Sequence, residues 1–186
     1  MNRRLLLASI AIAPASRALA QALSKTAPAP SVSTDARQKH IRDTVAYGSL
    51  SLLLSRAAKP NLTHPLLKQF ADFEIAEQET VADVLKAFEA NAPAKGTVQP
   101  PTDSELMRNL DEAGKASVEK MRTEQSGAQY DRDYIRYEIE GHRKLLDIQD
   151  VYLKSPDNLD ETNIAKLARG MIKEHLTLLA NLDKAA

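Results

Sequence analysis

Residues 130–146 read YDRDYIRYEIEGHRKLL, and within them Tyr134, Glu138 and His142 recur at intervals of four. Residues three or four apart lie on the same face of an α-helix. The spacing therefore predicts an amphipathic helix that carries a carboxylate and an imidazole on its inward, apolar face. Such a pair belongs either to a metal site or to a buried hydrogen-bonding cluster in a helical bundle.

The same spacing of apolar residues extends through most of the chain. It predicts helices over about residues 35–58, 65–90 and 105–152, the last of them weakened at Gly127, and a final helix from about residue 160. No segment shows the period-two alternation of a strand. The sequence therefore predicts an all-α protein, an up-and-down four-helix bundle with an interrupted third helix.

Apolar stripes on these helices supply the predicted core. The stripe of the second helix includes Leu66, Phe70 and Phe73, and that of the last helix includes Leu167 and Leu178. Burial of each inward leucine or phenylalanine is worth about 1.5–3 kcal/mol. Packing of these stripes is therefore expected to dominate the stability.

The composition suits one helical domain, with 186 residues, 43% hydrophobic and 27% charged. Cysteine is absent, which excludes disulfides, thiolate-bound metals and cysteine nucleophiles. Basic and acidic residues number 25 each, and removal of the three arginines within residues 1–20 leaves 22 against 25, a net charge of −3. Nucleic acid is therefore not an expected partner, because proteins that bind it are more basic.

The first twenty residues, MNRRLLLASIAIAPASRALA, have the order of a secretory signal peptide: a basic start, an apolar run and small residues before a cleavage point. The apolar run is shorter than the roughly 20 residues of a membrane-spanning helix, although an uncleaved N-terminal anchor is an alternative. Arg3-Arg4 leaves both general secretory and twin-arginine export open. We expect a signal peptide over 1–20, a disordered linker over 21–36 and a four-helix domain over 37–184. The mature protein is then periplasmic or otherwise exported, without an integral membrane span.

Several polar side chains fall on the apolar stripes, where burial is costly unless they are paired. They come from the second, third and last helices and are Glu74, Glu77, Gln78, Glu138, His142 and His175. If the helices pack in register, these groups converge near the middle of the bundle. His40, at the start of the first helix, is expected at the surface, and His64 in a loop.

Three interpretations of this cluster are open. A dinuclear iron or manganese centre usually takes Glu-x-x-His pairs from two helices, and no histidine here has a glutamate three residues before it. A mononuclear divalent-metal site needs only His142, His175 and one of the glutamates Glu74, Glu77 and Glu138. The third interpretation is a hydrogen-bonded cluster that fixes helix register without a cofactor.

Three short motifs add a family resemblance. Phe70-Ala71 with Glu77-Gln78, the run YDRDYI followed by His142, and KEHLTLL near the end resemble the secreted bacterial domain-of-unknown-function family 4142, over roughly residues 44–182. The resemblance implies a ferritin-like four-helix fold, and it implies no reaction because the family has no established activity. A glutamate common in the family's first helix falls here on Ser51, and a histidine of its second helix falls on Gln78, so two potential metal ligands are missing.

Taken together, these features predict an exported helical-bundle protein that is non-catalytic and serves as a binding or envelope stress-related protein. The alternative is a metal-binding protein or metal-dependent enzyme with its His/Glu site in the core. No cofactor is expected on the first interpretation, and a divalent metal ion on the second. A homodimer formed through an exposed apolar face is a third alternative.

The export prediction can be tested with a reporter. Residues 1–30 fused to a reporter enzyme should carry it across the inner membrane, because the basic, apolar and small-residue regions follow one another in the order that export requires. Cell fractionation measures the distribution of reporter activity. Recovery of the fusion in the cytoplasm would refute the predicted localisation, and replacement of Leu5–Leu7 by asparagines serves as the export-defective control.

Overall fold

The computed structural model describes residues 35–93 and 95–184, and the regular secondary structure of these residues is entirely helical. The helices are α1 (Asp35–Ala58), α2 (Pro65–Glu89), α3 (Asp103–Met107), α4 (Glu112–Thr123), α5 (Ala128–Leu153) and α6 (Leu159–Asp183). The all-α prediction is confirmed for this part of the chain. The predicted signal peptide and nearly all of the predicted linker lie outside the described residues. Among the described helices, none is both long enough and apolar enough to cross a membrane.

Prolines set the boundary between the first two helices. α1 ends at Ala58, and α2 begins with Pro65 in its first turn, where the missing N–H breaks no helical hydrogen bond. His64 caps α2, because its imidazole Nδ1 accepts a hydrogen bond from the Leu66 N–H at 3.2 Å. His64 therefore lies in the connection, as predicted.

The segment predicted to run continuously from Glu105 towards Gly127 is split into two helices. Thr102 caps α3 in a capping box with Glu105, and Asp111 starts α4 by accepting from the Gly114 N–H at 2.8 Å. α4 then ends before Gly127, whose φ of 152° is one that L side chains rarely adopt. The chain thus breaks at the expected glycine and again before Asp111, where a capping carboxylate restarts the helix.

α1 lies at the centre of the packing and contacts α2, α5, α3 and α4. Against α2 it runs antiparallel: Ser51 donates to Glu74, and Gly48, earlier in α1, lies beside Gln78, later in α2. A Cβ at Gly48 would stand 2.7 Å from the Gln78 Oε1 atom. The glycine therefore leaves room for the side-chain amide of Gln78 at this level.

α1 also runs antiparallel to α5. Ser55 bonds to Tyr134 near the start of α5 at 2.7 Å, and His40 bonds to Gln149 near its end at 2.7 Å. Since α2 and α5 are both antiparallel to α1, they run in the same direction. The connection that carries α3 and α4 must therefore cross the length of the molecule, and a strict up-and-down order does not hold between α2 and α5.

Part of the predicted apolar stripes is exposed. Phe70 is buried as predicted, but Leu66, Phe73, Leu167 and Leu178 are 56%, 51%, 72% and 44% exposed. The prediction is wrong for these four side chains. The backbones of α2 and α6 do not pack closely against each other, so each helix buries a narrower stripe than its sequence pattern suggests.

Asp131, in the first turn of α5, holds the α1–α2 connection. Its carboxylate accepts hydrogen bonds from the Thr63 N–H at 2.9 Å, the Thr63 hydroxyl at 2.5 Å and the His64 N–H at 2.9 Å. The side chain is 3% exposed. Two backbone donors of the loop therefore depend on this one carboxylate.

Asp131→Ala is expected to lower the free energy of unfolding by about 1–3 kcal/mol, because two partly buried N–H groups lose a charged acceptor. Urea denaturation followed by circular dichroism measures the change. Asp147→Ala, an exposed position on the same helix, is the control and should shift the value by less than about 0.5 kcal/mol. Equal effects of the two substitutions would contradict the role assigned to Asp131.

Candidate functional site

The predicted site residues lie on three helices and point to one place. Glu74 and Glu77 come from α2, Glu138 and His142 from α5, and His175 from α6. Glu74, Glu138 and His142 are fully buried and His175 is nearly so. Spacing of four brings Glu138 and His142 to one face of α5, and the antiparallel packing of α5 on α6 brings His175 beside them.

Three of these residues form the centre of the cluster. The Oε2 atom of Glu74 lies 2.9 Å from His175 Nδ1 and 3.3 Å from His142 Nε2. The two imidazole nitrogens are 3.0 Å apart. One carboxylate oxygen and two ring nitrogens, from α2, α5 and α6, therefore surround a common point within 4.8 Å of one another.

The ring nitrogen of each imidazole that faces away from the centre lies next to an oxygen atom. His142 Nδ1 lies 2.8 Å from the backbone carbonyl oxygen of Glu138, an acceptor that requires the proton on Nδ1. His175 Nε2 lies 3.1 Å from Glu77 Oε2. Each ring therefore offers one nitrogen to the centre; the other nitrogen of His142 bonds to a carbonyl oxygen, and that of His175 lies at ion-pair distance from a carboxylate. Glu77 belongs to this outer set and does not reach the central point.

Ser51 joins the two buried carboxylates. Its hydroxyl lies 2.6 Å from Glu74 Oε1 and is also hydrogen-bonded to Glu138 Oε2. A hydroxyl has one proton to donate, so two ionised carboxylates cannot both accept from it. Burial, together with the charge of Glu74, raises the pKa of Glu138 to about 8. Glu138 therefore carries a proton at neutral pH and donates it to Ser51, which donates to Glu74.

The series of hydrogen bonds continues beyond Glu138 to Ser55 of α1 and Tyr134 of α5. Ser55 lies 3.1 Å from Glu138 Oε1 and 2.7 Å from the Tyr134 hydroxyl. Burial raises the pKa of Tyr134 well above its ordinary value, so the phenol keeps its proton and donates to Ser55. Tyr134, Ser55, Glu138 and Ser51 thus form a run of donors that ends on Glu74.

Glu74 carries the negative charge of the cluster, and the two imidazoles lie next to it. Burial alone would raise the pKa of Glu74, but the charge of His142 and the adjacent His175 outweigh it and hold that pKa well below its usual range. Burial alone would lower the pKa of His142, but attraction to Glu74 outweighs it and raises the value to about 9. Burial raises the pKa of Glu77. Glu74 is therefore the anion around which the other groups are arranged.

One atom of this anion lacks a hydrogen bond. Among the described residues Glu74 Oε2 is buried without a hydrogen-bond partner, although His142 and His175 lie at ion-pair distance. The outer oxygen Oε1 is satisfied by Ser51. A buried acceptor without a donor is costly, and this one faces the point where the two ring nitrogens meet.

Phe70 closes the cluster on one side. Its ring centroid lies 5.1 Å from that of His175, edge-on, and 6.2 Å from that of His142. Phe70 is itself buried. The aromatic wall keeps water away from the imidazoles and lowers the local dielectric, which strengthens every charge interaction described above.

A second buried histidine cluster was missed by the sequence analysis. His40, predicted at the surface, is 3% exposed, and its ring nitrogens bond to Glu161 at the start of α6 and to Gln149 of α5 at 2.7 Å. Tyr152 stacks on the imidazole with ring centroids 4.4 Å apart. The available signal was Gln149, which lies seven residues after His142 on the same helical face.

The donor set at Glu74, His142 and His175 has the chemistry of a metal site. Imidazole and carboxylate ligands suit first-row divalent ions, and two histidines with one carboxylate leave further coordination positions open. Metal–ligand bonds of about 2.1 Å place neighbouring donors about 3.0 Å apart at octahedral angles and about 3.4 Å apart at tetrahedral angles. The separations of 2.9 and 3.0 Å are close to the octahedral value, and that of 3.3 Å is close to the tetrahedral one.

These features define an all-helical protein with a buried His/carboxylate cluster shared by three helices. The chain belongs to the family described as Domain of unknown function (DUF4142), whose model matches residues 21–182. The family resemblance seen in the sequence is thereby confirmed. Neither the curated proteins nor the solved structures contain a match to the chain.

Isosteric amides test the assigned protonation states. Glu138→Gln keeps a donor to Ser51 and should change the free energy of unfolding by less than about 1 kcal/mol at pH 7 in metal-free buffer. Glu74→Gln removes the anion opposite His142 and should cost about 3 kcal/mol or more. Urea denaturation measures both, and Glu140→Gln, an exposed position on α5, is the control. A larger loss for Glu138→Gln than for Glu74→Gln would contradict the assignment.

The same comparison predicts a pH dependence. Burial raises the pKa of Glu138 in the folded protein to about 8 from 4.5. Protonation of Glu138 therefore contributes fully to the free energy of unfolding below pH 4.5, and this contribution is lost as the pH rises to about 8. Between pH 5.5 and 8 the stability of the unmodified protein should therefore fall relative to that of Glu138→Gln, by up to about 1.4 kcal/mol per pH unit. Parallel stability curves would exclude a proton on Glu138.

Proposed function

We propose that the protein binds a single divalent transition-metal ion through Glu74, His142 and His175. The observation that carries the proposal is the convergence of one carboxylate oxygen and two imidazole nitrogens from three helices, within 4.8 Å of one another and buried. The unsatisfied Glu74 Oε2 atom faces the same point. An ion would give that oxygen the partner that the described residues do not supply.

The surrounding groups support the proposal because they orient the ligands. Metal-bound histidines commonly donate their second N–H to a carboxylate or a backbone carbonyl. His142 meets the Glu138 carbonyl in this way, and His175 Nε2 has the Glu77 carboxylate at an ion-pair distance of 3.1 Å. Nitrogen and oxygen donors without thiolate favour iron, zinc, manganese or cobalt over copper(I).

Burial favours a binding protein over an enzyme. Catalytic metal sites keep a position open to water or substrate, whereas Glu74 and His142 are fully buried and Phe70 covers the imidazoles. We therefore assign the ion no reaction. Placed with the expected export signal, the function is that of a metal-binding protein of the bacterial envelope.

The fold that we propose for this function is a ferritin-like four-helix bundle built from α1, α2, α5 and α6. Ferritin-like bundles have one long crossover connection and build metal sites from inward side chains on facing helices. The parallel course of α2 and α5, and the long connection with α3 and α4, agree with that topology. α4 belongs to this crossover, so α5 alone is the third helix of the proposed bundle, and the break at Gly127 separates the crossover from it.

Metal content and affinity test the proposed function. Mature protein stripped with EDTA should take up one Zn²⁺ or Co²⁺ per chain in isothermal titration calorimetry. His175→Leu should abolish this binding and remain folded, since Glu74 keeps Ser51 and His142 as partners. Glu77→Ala should weaken it by about 10–100-fold, because His175 loses the carboxylate beside its Nε2 atom.

A matched histidine outside the cluster provides the control. His64→Asn removes an imidazole and leaves a side chain that can still cap α2, so affinity and stoichiometry should be unchanged. Thermal denaturation confirms that each variant is folded. Equal uptake by His175→Leu and the unmodified protein, or no uptake by the latter, would overturn the proposal in favour of a hydrogen-bonded cluster that sets helix register.

A further inference from the structure

A cleft lies between α2 and α6, on the far side of Phe70 from the histidine cluster. Its volume is about 270 Å³, slightly below the range of about 300–1,000 Å³ that is usual for small-molecule sites. Side chains from the start of α2 and the end of α6 line it, namely His64, Leu66, Gln69, Phe70, Phe73, Leu178, Asn181 and Leu182. The backbones of α2 and α6 do not pack closely, which leaves this space.

Several large apolar side chains line the cleft although they are exposed and are not part of the core. Leu66, Phe73 and Leu178 are 56%, 51% and 44% exposed, and all line the same opening. Exposed large apolar side chains that cluster around a concavity mark a binding site more often than scattered ones do. Phe70, which is buried, forms an aromatic wall of the cleft and makes contact with His175.

Polar groups line the same cleft, but no side chain of an acidic residue, a lysine or an arginine is among them to pair with an ionic ligand. Gln69 and Asn181 supply amide donors and acceptors, and the lining contains no lysine, arginine, aspartate or glutamate. The imidazole of His64 uses Nδ1 to accept from Leu66 N–H, so its neutral form carries a proton on Nε2. Apolar walls with a few neutral hydrogen-bonding groups are typical of sites for small organic molecules.

We propose that this cleft binds a small uncharged organic molecule with an aromatic or compact apolar body and one hydroxyl or carbonyl group. The apolar body would lie against Phe70, Phe73 and Leu178, and the polar group would reach Gln69 or Asn181. A second copy of the chain fits less well, because stable protein interfaces take about 20–30 residues from each side. The inference goes beyond metal binding and stands without it.

A fluorescence titration with 2-naphthol, a neutral fused aromatic alcohol, tests the proposal. The metal-free protein should bind it saturably, with one site and a Kd below about 1 mM. Leu178→Asn and Phe73→Asn should each weaken binding at least tenfold, because each places an amide where the apolar body lies. Leu167→Asn is the matched control, an exposed leucine of α6 that does not line the cleft, and should change Kd less than twofold.

Other outcomes would overturn it. Absence of saturable binding up to 5 mM probe, or an equal loss in Leu167→Asn, would show that the cleft is no site for such a molecule. Sedimentation showing a dimer that Leu178→Asn dissociates would assign the surface to a second copy of the chain instead. His175→Leu separates the two proposals, since probe binding should persist there, within about threefold, whether or not the protein binds metal.

Discussion

The structure is organised around a carboxylate that has no access to water. Glu74 is fully buried, and each long helix packed around it contributes a partner: Ser51 from α1, His142 from α5 and His175 from α6. A buried charge without such partners would be strongly destabilising. Axial sliding of any helix by one turn would remove a partner from Glu74. The polar cluster thus determines register, while the surrounding leucines and Phe70 supply most of the packing energy.

Much of the fold could be predicted because its signals are local. Prolines lie between the end of α1 and the start of α2. The four-residue spacing of Glu138 and His142 places both on one face of α5. The split between α3 and α4 depends on capping by Asp111, a short-range competition that apolar periodicity does not capture. The course of α2 parallel to α5 depends on how the connection between them crosses the molecule, which periodicity leaves open.

The candidate site was predicted as a set of residues, and its internal roles were not. Sequence spacing identified Glu74, His142 and His175, but the placement of Glu77 outside the centre follows from the position of His175 on α6. Ser51 looked like the loss of a ligand, and it proves to bridge Glu74 and Glu138. His40 was assigned to the surface from its place at the start of the first helix, and its partner Glu161 lies far along the sequence. Such pairings arise only when helices meet.

The wall formed by Phe70 has a kinetic consequence. With Glu74 and His142 fully buried and this ring against both imidazoles, an ion of the kind proposed above would enter or leave the centre through local opening of the helices around it. Local opening of this kind has its own free energy, distinct from that of global unfolding. The rate of metal exchange would then be limited by the rate of local opening and would not depend on the affinity of the ligands for the ion. A chelator in large excess would strip the protein at a speed that no longer depends on chelator concentration.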